Sequence, residues 1–411
     1  MAIQLSRDMT EAPPLLISRQ PVLDARDRVV GYRVSYSVLS GGFPVTPSTD
    51  DAISGVDDLL RMVDDGEQVL GNKAHLSFSR EMLLRGDIPQ ISPERVLLRI
   101  RYEDAISEPL LPAIKEAADR GFELELDDLP GPDVDLRQLE HFSAFEISLA
   151  RWNVEEAAGV LTRIKGVKAH GLAVGVTDHA ARDAAEELGF QWFSGPFFAT
   201  PNMAGGAPNP MADLHTIVAL YKMQGRDTRV EELIAVIERE VGLGVRLLKY
   251  MNSTYFGFSG RVQSITQAAA MLGTRGLSRW ALIVASLSGP EPIPRELALM
   301  TLTRARACEL VGLDQDEQLD SDELFTIGML STCGAVFRMP MAHVMRELPL
   351  AKQISDALLY GTGTAGEILQ SVISYESGEF SSPTLRTTLL TNSAAYREAL
   401  DWARRAIYGM G

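Results

Sequence analysis

Between Asn202 and Pro210, a stretch dense in proline and glycine, the hydrophobic pattern of this chain changes period, and that change restricts what can fold on either side. Before it, short runs rich in β-branched and aromatic residues alternate with helical stretches, as a wound parallel α/β sheet or barrel requires. The predicted strands are Leu15 to Ser18, Val29 to Tyr36, Ala74 to Phe78, Val96 to Arg101, Phe122 to Asp127, Phe145 to Leu149, Leu172 to Val176 and Gln191 to Phe193. Between them, Leu110 to Arg120 and Asn153 to Ile164 repeat apolar residues at helical steps. Eight strands in this length predict an N-terminal (β/α)8, TIM-like barrel over residues 15–201. After the break the strand signal stops. Leu233, Val236, Ile237 and Val241 share one helical face, and Leu277 to Leu287 and Leu297 to Leu310 repeat that stripe. The predicted fold class is α/β plus all-α: a flexible N-terminus (1–14), the barrel, a linker (202–210), a helical domain (211–405) and a C-terminal tail (406–411).

Charge and cysteine usage narrow the function. The net charge of −16 is uneven: residues 1–204 carry 20 Lys/Arg against 33 Asp/Glu, and the remainder 19 against 22. Such an acidic surface repels a phosphate backbone, so no nucleic-acid partner is expected. Cys308 and Cys333 form no CxxC pair and suit a reducing compartment. There is no run of about 18 apolar residues, and Met1 to Pro14 has polar and acidic residues where a signal peptide needs a hydrophobic segment. The expectation is a cytoplasmic protein with no membrane partner.

The reactive groups of such a barrel sit at the carboxyl ends of its strands. The segments QPVLDARDRVVGYRVSYS (Gln20 to Ser37), LDDLPG (Leu126 to Gly131) and LGFQWFSGPFFATP (Leu188 to Pro201) together resemble the EAL domain of cyclic di-GMP phosphodiesterases, in order and spacing over roughly 190 residues. The resemblance also implies what is missing. Arg33 stands where the name-giving Glu is expected, Ser37 where an Arg follows it, Ser77 where a metal-binding Asn is expected and Arg99 where a second metal-binding Glu is expected. Glu146 takes the place of the catalytic Lys, Val174 and Thr177 that of a late Glu pair, and Ser194 that of a Gln. Asp127 and Asp128 alone remain of the acidic set. A two-metal hydrolase needs several hard oxygen ligands, including a bridging set, so the resemblance implies no metal, no cofactor and no catalysis. One arginine is expected to pair with Asp127 or Asp128 and fill the metal position with a charge-assisted hydrogen bond. The plainer reading of Asp127 and Asp128 is a strand end before the turn at Pro130-Gly131, and of the arginines ordinary solvated or paired surface charge.

The second half carries its own resemblance. LLKYMNSTYFG (Leu247 to Gly257), SITQAAAMLGTRGLSRW (Ser264 to Trp280), RARACEL (Arg304 to Leu310) and IGMLSTCGAVF (Ile327 to Phe337) resemble the HDOD domain, a relative of the HD phosphohydrolases without their metal ligands. Ser331 and Thr332 occupy the positions of the lost His-Asp pair, and His215 and His343 are isolated. Asn252 and Ser253 read as a cap or turn between helices, or as part of a partner groove. The acidic segment Asp314 to Glu323 reads as a solvated insertion.

Both domains in one chain resemble a bacterial signalling family, which implies roles in motility or surface behaviour. The expected function is a non-catalytic regulator or scaffold whose partners are signalling proteins; a homodimer is compatible with it. The alternative is a receptor that binds cyclic di-GMP without hydrolysing it, with Gln20, Phe197, Phe198 and Pro201 as remnants of a nucleotide cradle. A partner surface is expected around Tyr255, Phe256 and Trp280, aromatics that equally suit a lock between the two domains.

Overall fold

The computed structural model describes residues 15–40, 43–45, 73–85, 92–127, 129–202, 211–223, 228–253, 255–257, 260–287, 293–315, 319–348, 350–385 and 388–408. The expected flexible N-terminus, nearly all of the linker and Asp128 therefore lie outside the described residues.

Among the described residues, the first half contains nine strands: β1 (Leu15–Asp24), β2 (Val29–Ser40), β3 (Phe43–Val45), β4 (Lys73–Ser77), β5 (Val96–Arg101), β6 (Glu123–Asp127), β7 (Ala144–Ser148), β8 (His170–Val174) and β9 (Trp192–Ser194). Their order is β1-β9-β8-β7-β6-β5-β4-β2, and β2 pairs back to β1, which closes the barrel; β3 is an added hairpin strand on β2. All eight expected strands are present in a closed α/β barrel.

Two features correct the simple (β/α)8 expectation. β1 runs antiparallel to both β2 and β9, because only four residues separate β1 from β2 and a parallel crossover needs a dozen or so. Asp24 closes that turn by accepting hydrogen bonds from the N–H groups of Arg26 and Arg28 (2.8 and 3.0 Å), with Asp27 in the left-handed region at φ 56°. Second, the link from β6 to β7 carries a single 3₁₀ turn, Leu136–Leu139, in place of a helix. The described barrel helices are α1 (Arg80–Arg85), α2 (Tyr102–Ala105), α3 (Leu111–Asp119), α4 (Val154–Gly166) and α5 (His179–Leu188). Asn153 starts α4 with a capping box to Glu156, which satisfies two otherwise orphaned N–H groups.

Beyond Asn202 the described residues contain helices and no strand. They are α6 (Met211–Lys222), α7 (Val230–Arg239), α8 (Val241–Met251), α9 (Ile265–Ser286), α10 (Arg295–Gln315), α11 (Ser321–Leu330), α12 (Cys333–Val336), α13 (Met341–Glu347), α14 (Lys352–Tyr360), α15 (Gly363–Glu376) and α16 (Leu389–Tyr408). Helix α16 continues past residue 405 with Ala406 fully buried, so the expected tail does not begin there. The acidic insertion is also corrected: Asp322 lies in the first turn of α11, is buried, and pairs with Arg275 at 2.6 Å. Asn252 behaves as the cap-and-turn reading expects, donating to the carbonyls of Leu248 and Val262 and accepting from the Val262 N–H (2.7, 2.8 and 2.7 Å). Asn252→Ala is expected to cost about 1–2 kcal/mol, the net worth of such bonds, read from a urea titration; an unchanged midpoint would refute this.

The two halves meet along β1 and β2. Arg19 and the Tyr32 hydroxyl reach Glu296 of α10 at 3.3 and 3.0 Å, and the Arg19 guanidinium lies 4.0 Å from the Tyr32 ring centre. All three side chains are buried. Tyr255, Phe256 and Trp280 do not form this seam. They cluster with Tyr250 and Trp402 inside the helical half, with ring centres 4.6 to 5.9 Å from Trp280.

Candidate functional site in the barrel mouth

In a strand, alternate side chains face the barrel interior, and here the inward row is charged. Arg33 of β2, His75 and Ser77 of β4, Arg99 of β5, Glu125 and Asp127 of β6 and Glu146 of β7 converge on one cluster. The parallel ladders align Ser77, Arg99 and Glu125 side by side. Arg99 is its hub: Nε donates to Glu125 at 3.1 Å, Nη2 to Asp127 at 2.9 Å and to Glu146 at 3.0 Å, and Nη1 to the Ser77 hydroxyl at 3.2 Å. Arg33 Nη2 donates to the same Glu146 oxygen at 2.7 Å. His75 Nδ1 lies 2.6 Å from the second oxygen of Glu125. Gly31 makes room for this, since a Cβ there would collide with the His75 imidazole.

Burial sets the protonation of the carboxylates. Glu125 is fully buried, which alone would raise its pKa, but His75, Arg99 and Arg33 outweigh burial and hold it at about 2. Glu146 goes the other way. Burial, aided by Asp127 and Glu125, pushes it up to about 7 against the pull of Arg33 and Arg99. The carboxylates around Arg99 raise its pKa despite its own burial, so it stays charged.

Above the cluster opens a cavity of about 720 Å³, lined by Ser35, Ser37, Ser79, Arg80, Arg101 and Glu103 among others, with Arg99 and Asp127 at its floor. Phe380 and Gly378, from the helical half, complete its wall.

The remaining sequence candidates are dispersed. Val174 belongs to an apolar layer of the barrel with Val22 and Leu172. Thr177 is exposed and donates to Asp178. The Ser194 hydroxyl is buried without a hydrogen-bond partner. Gln20 donates to the Ser377 carbonyl at 2.8 Å. Phe197 and Phe198 are buried edge to face, and Pro201 approaches Gly334; Gln20, Phe197, Phe198 and Pro201 do not line the cavity. In the helical half, the Ser331 hydroxyl accepts from Arg304 at 3.1 Å, and Thr332 is buried against Thr301 at 2.7 Å. His75 and Glu125 were not legible as site residues. The signal was the alternation Glu123, Glu125, Asp127, which places three acids on one strand face.

Residues 212–382 match the family model of the HDOD domain. The chain is 24% identical over 410 residues to the uncharacterized protein YuxH of Bacillus subtilis, covering 94% of this chain and 98% of that one. It is also 24% identical over 373 residues to the cyclic di-GMP phosphodiesterase CdgJ of Vibrio cholerae, covering 89% of this chain and 85% of that one. Solved structures similar to it include the PaMucR phosphodiesterase in its c-di-GMP complex, at 15% identity and TM-score 0.37 over 44% of this chain and 89% of that one. Another is YkuI of Bacillus subtilis, which has an EAL domain, in complex with c-di-GMP and calcium, at 14% identity and TM-score 0.35 over 63% of this chain and 73% of that one. Among the described residues, no helix is long and apolar enough to cross a membrane.

Proposed function

We propose that this chain is a non-catalytic regulator in cyclic di-GMP-linked signalling that acts through protein contacts. One observation carries the reading: the acids of the barrel mouth are held by the protein's own cations. Asp127, the described member of the aspartate pair, receives an Arg99 guanidinium at 2.9 Å, and Glu146 receives two. A divalent ion there would have to displace Arg99 and meet its positive charge. The residues present do not fit a metal pair. CdgJ, similar along most of the chain, supports the pathway.

A receptor that binds cyclic di-GMP without cleaving it is the second reading. It is favoured by the size of the cavity, which falls within the range of small-molecule sites. Of the three aromatics read as a partner surface, Trp280 is buried, whereas Tyr255 and Phe256 are only partly buried; a partner would meet that edge.

Incubation with cyclic di-GMP in magnesium or manganese is expected to give no hydrolysis. Turnover by the parent protein that disappears in Asp127→Ala would overturn the proposal. Arg33→Glu with Arg99→Glu should not restore activity, since Ser77, Glu146 and Thr177 remain. Calorimetric titration with cyclic di-GMP separates the two readings: saturable heat selects the receptor, and its absence selects the scaffold.

A further inference from the structure

We propose that the turn after α15, Ser377 to Glu379, is a latch seated on the barrel mouth, so that lifting of the turn and opening of the mouth are one local equilibrium. β9 pairs with β1 only from Val22 to Asp24, which leaves the first part of β1 with an open edge on that side. An open edge presents backbone groups that need partners. The helical half supplies one: the Tyr375 hydroxyl accepts the Ile17 N–H at 3.0 Å. Two residues on, the Ser377 carbonyl accepts from the Gln20 amide at 2.8 Å.

Gly378 makes the close seat possible. It adopts φ +75°, and a Cβ there would lie 2.8 Å from Ser35 and 3.1 Å from the Ser18 hydroxyl, so a larger residue would lift the turn. Gly378 and Phe380 are also wall residues of the cavity that leads down to Arg99 and Asp127. The latch is therefore part of the mouth. At its other end, Glu376 is ion-paired with Arg304 at 2.6 Å, and Arg304 also donates to Ser331. The turn thus joins the polar centre of the helical half to the barrel mouth. The Arg19–Glu296 contact is a separate anchor, so loosening the turn does not by itself part the halves. The latch goes beyond the proposed function and does not depend on whether the mouth takes a nucleotide.

Thiol labelling of the full chain tests it. Ser18 is fully buried beneath the turn and Ser35 lines the cavity, while Cys308 and Cys333 are buried with their thiols pushed up to about 12, giving a slow background. Ser18→Cys and Ser35→Cys are made singly and treated with a charged methanethiosulfonate. Adding Gln20→Leu and Tyr375→Phe, which remove the two latch hydrogen bonds, is expected to accelerate labelling at both introduced thiols about tenfold, with Cys308 and Cys333 unchanged. Gly378→Ala should act in the same direction. The latch is overturned by acceleration below about twofold at either introduced thiol. It is equally overturned if the Ser18→Cys thiol of the otherwise unaltered chain reacts as fast as an exposed one, or if Cys308 and Cys333 accelerate in step, which would mean global unfolding.

Discussion

Arg99→Met is expected to destabilise the barrel by about 3–5 kcal/mol, the cost of removing one partner from a buried ionic cluster. The side chain is nearly isosteric along its stem, so the loss comes from charge and hydrogen bonds. It would strip Glu125, Asp127 and Glu146 of a shared cation at 2.9 to 3.1 Å, leaving Arg33 and His75 to face three acids. Breaking the exposed Arg80–Asp104 contact, at 3.5 Å with Arg80 half in solvent, should by contrast cost less than about 1 kcal/mol. Urea unfolding followed by circular dichroism compares the two. Adding Glu146→Gln to Arg99→Met should recover part of the loss, because the second change removes a carboxylate that the first left underpaired. An Arg99→Met loss no larger than that of Arg80→Ala would mean that the cluster is solvated and that the arginines are ordinary surface charge.

Much of this arrangement was legible in the sequence, and the misses have physical causes. The period change at residues 202–210 and the eight strand runs were readable because burial dictates them locally. The orientation of β1 was not read, because the predicted strand stopped at Ser18, whereas β1 runs on to Asp24 and leaves a connection to β2 too short to cross over. Arg33, Ser77, Arg99, Asp127 and Glu146 were singled out because the resemblance to the EAL domain implies site positions there, and the pairing of Arg99 with Asp127 follows from their positions on adjacent parallel strands. His75 and Glu125 were missed because charge deep inside a barrel runs against the apolar expectation for a core. Their pairing depends on strands β4 and β6 facing the same interior across β5, which no local pattern reveals. The seam between the halves was illegible for the same reason: Arg19 and Glu296 are 277 residues apart, and each reads alone as a surface charge. The acidic segment ending at Glu323 was misread because composition does not show that Asp322 has Arg275 as a partner.

The buried Glu125 makes acid stability a direct readout of the cluster. Its carboxyl is held at about 2 against an ordinary value of 4.5, and a shift of that size is worth about 3 kcal/mol by linkage. Because the folded value lies below the unfolded one, this stabilisation is complete above about pH 4.5 and is lost as the pH falls toward 2. Glu125→Gln keeps the shape but offers His75 and Arg99 no charge. At neutral pH it is expected to cost the protein about 3 kcal/mol. Its deficit relative to the parent should then shrink steadily as the buffer is taken from pH 4.5 toward 2, where the parent carboxyl also becomes neutral. Urea titrations at a series of pH values measure both quantities. A deficit that stays constant across that window would show that Glu125 gains its stability from packing and hydrogen-bond geometry, not from the ionised pairing with His75 and Arg99.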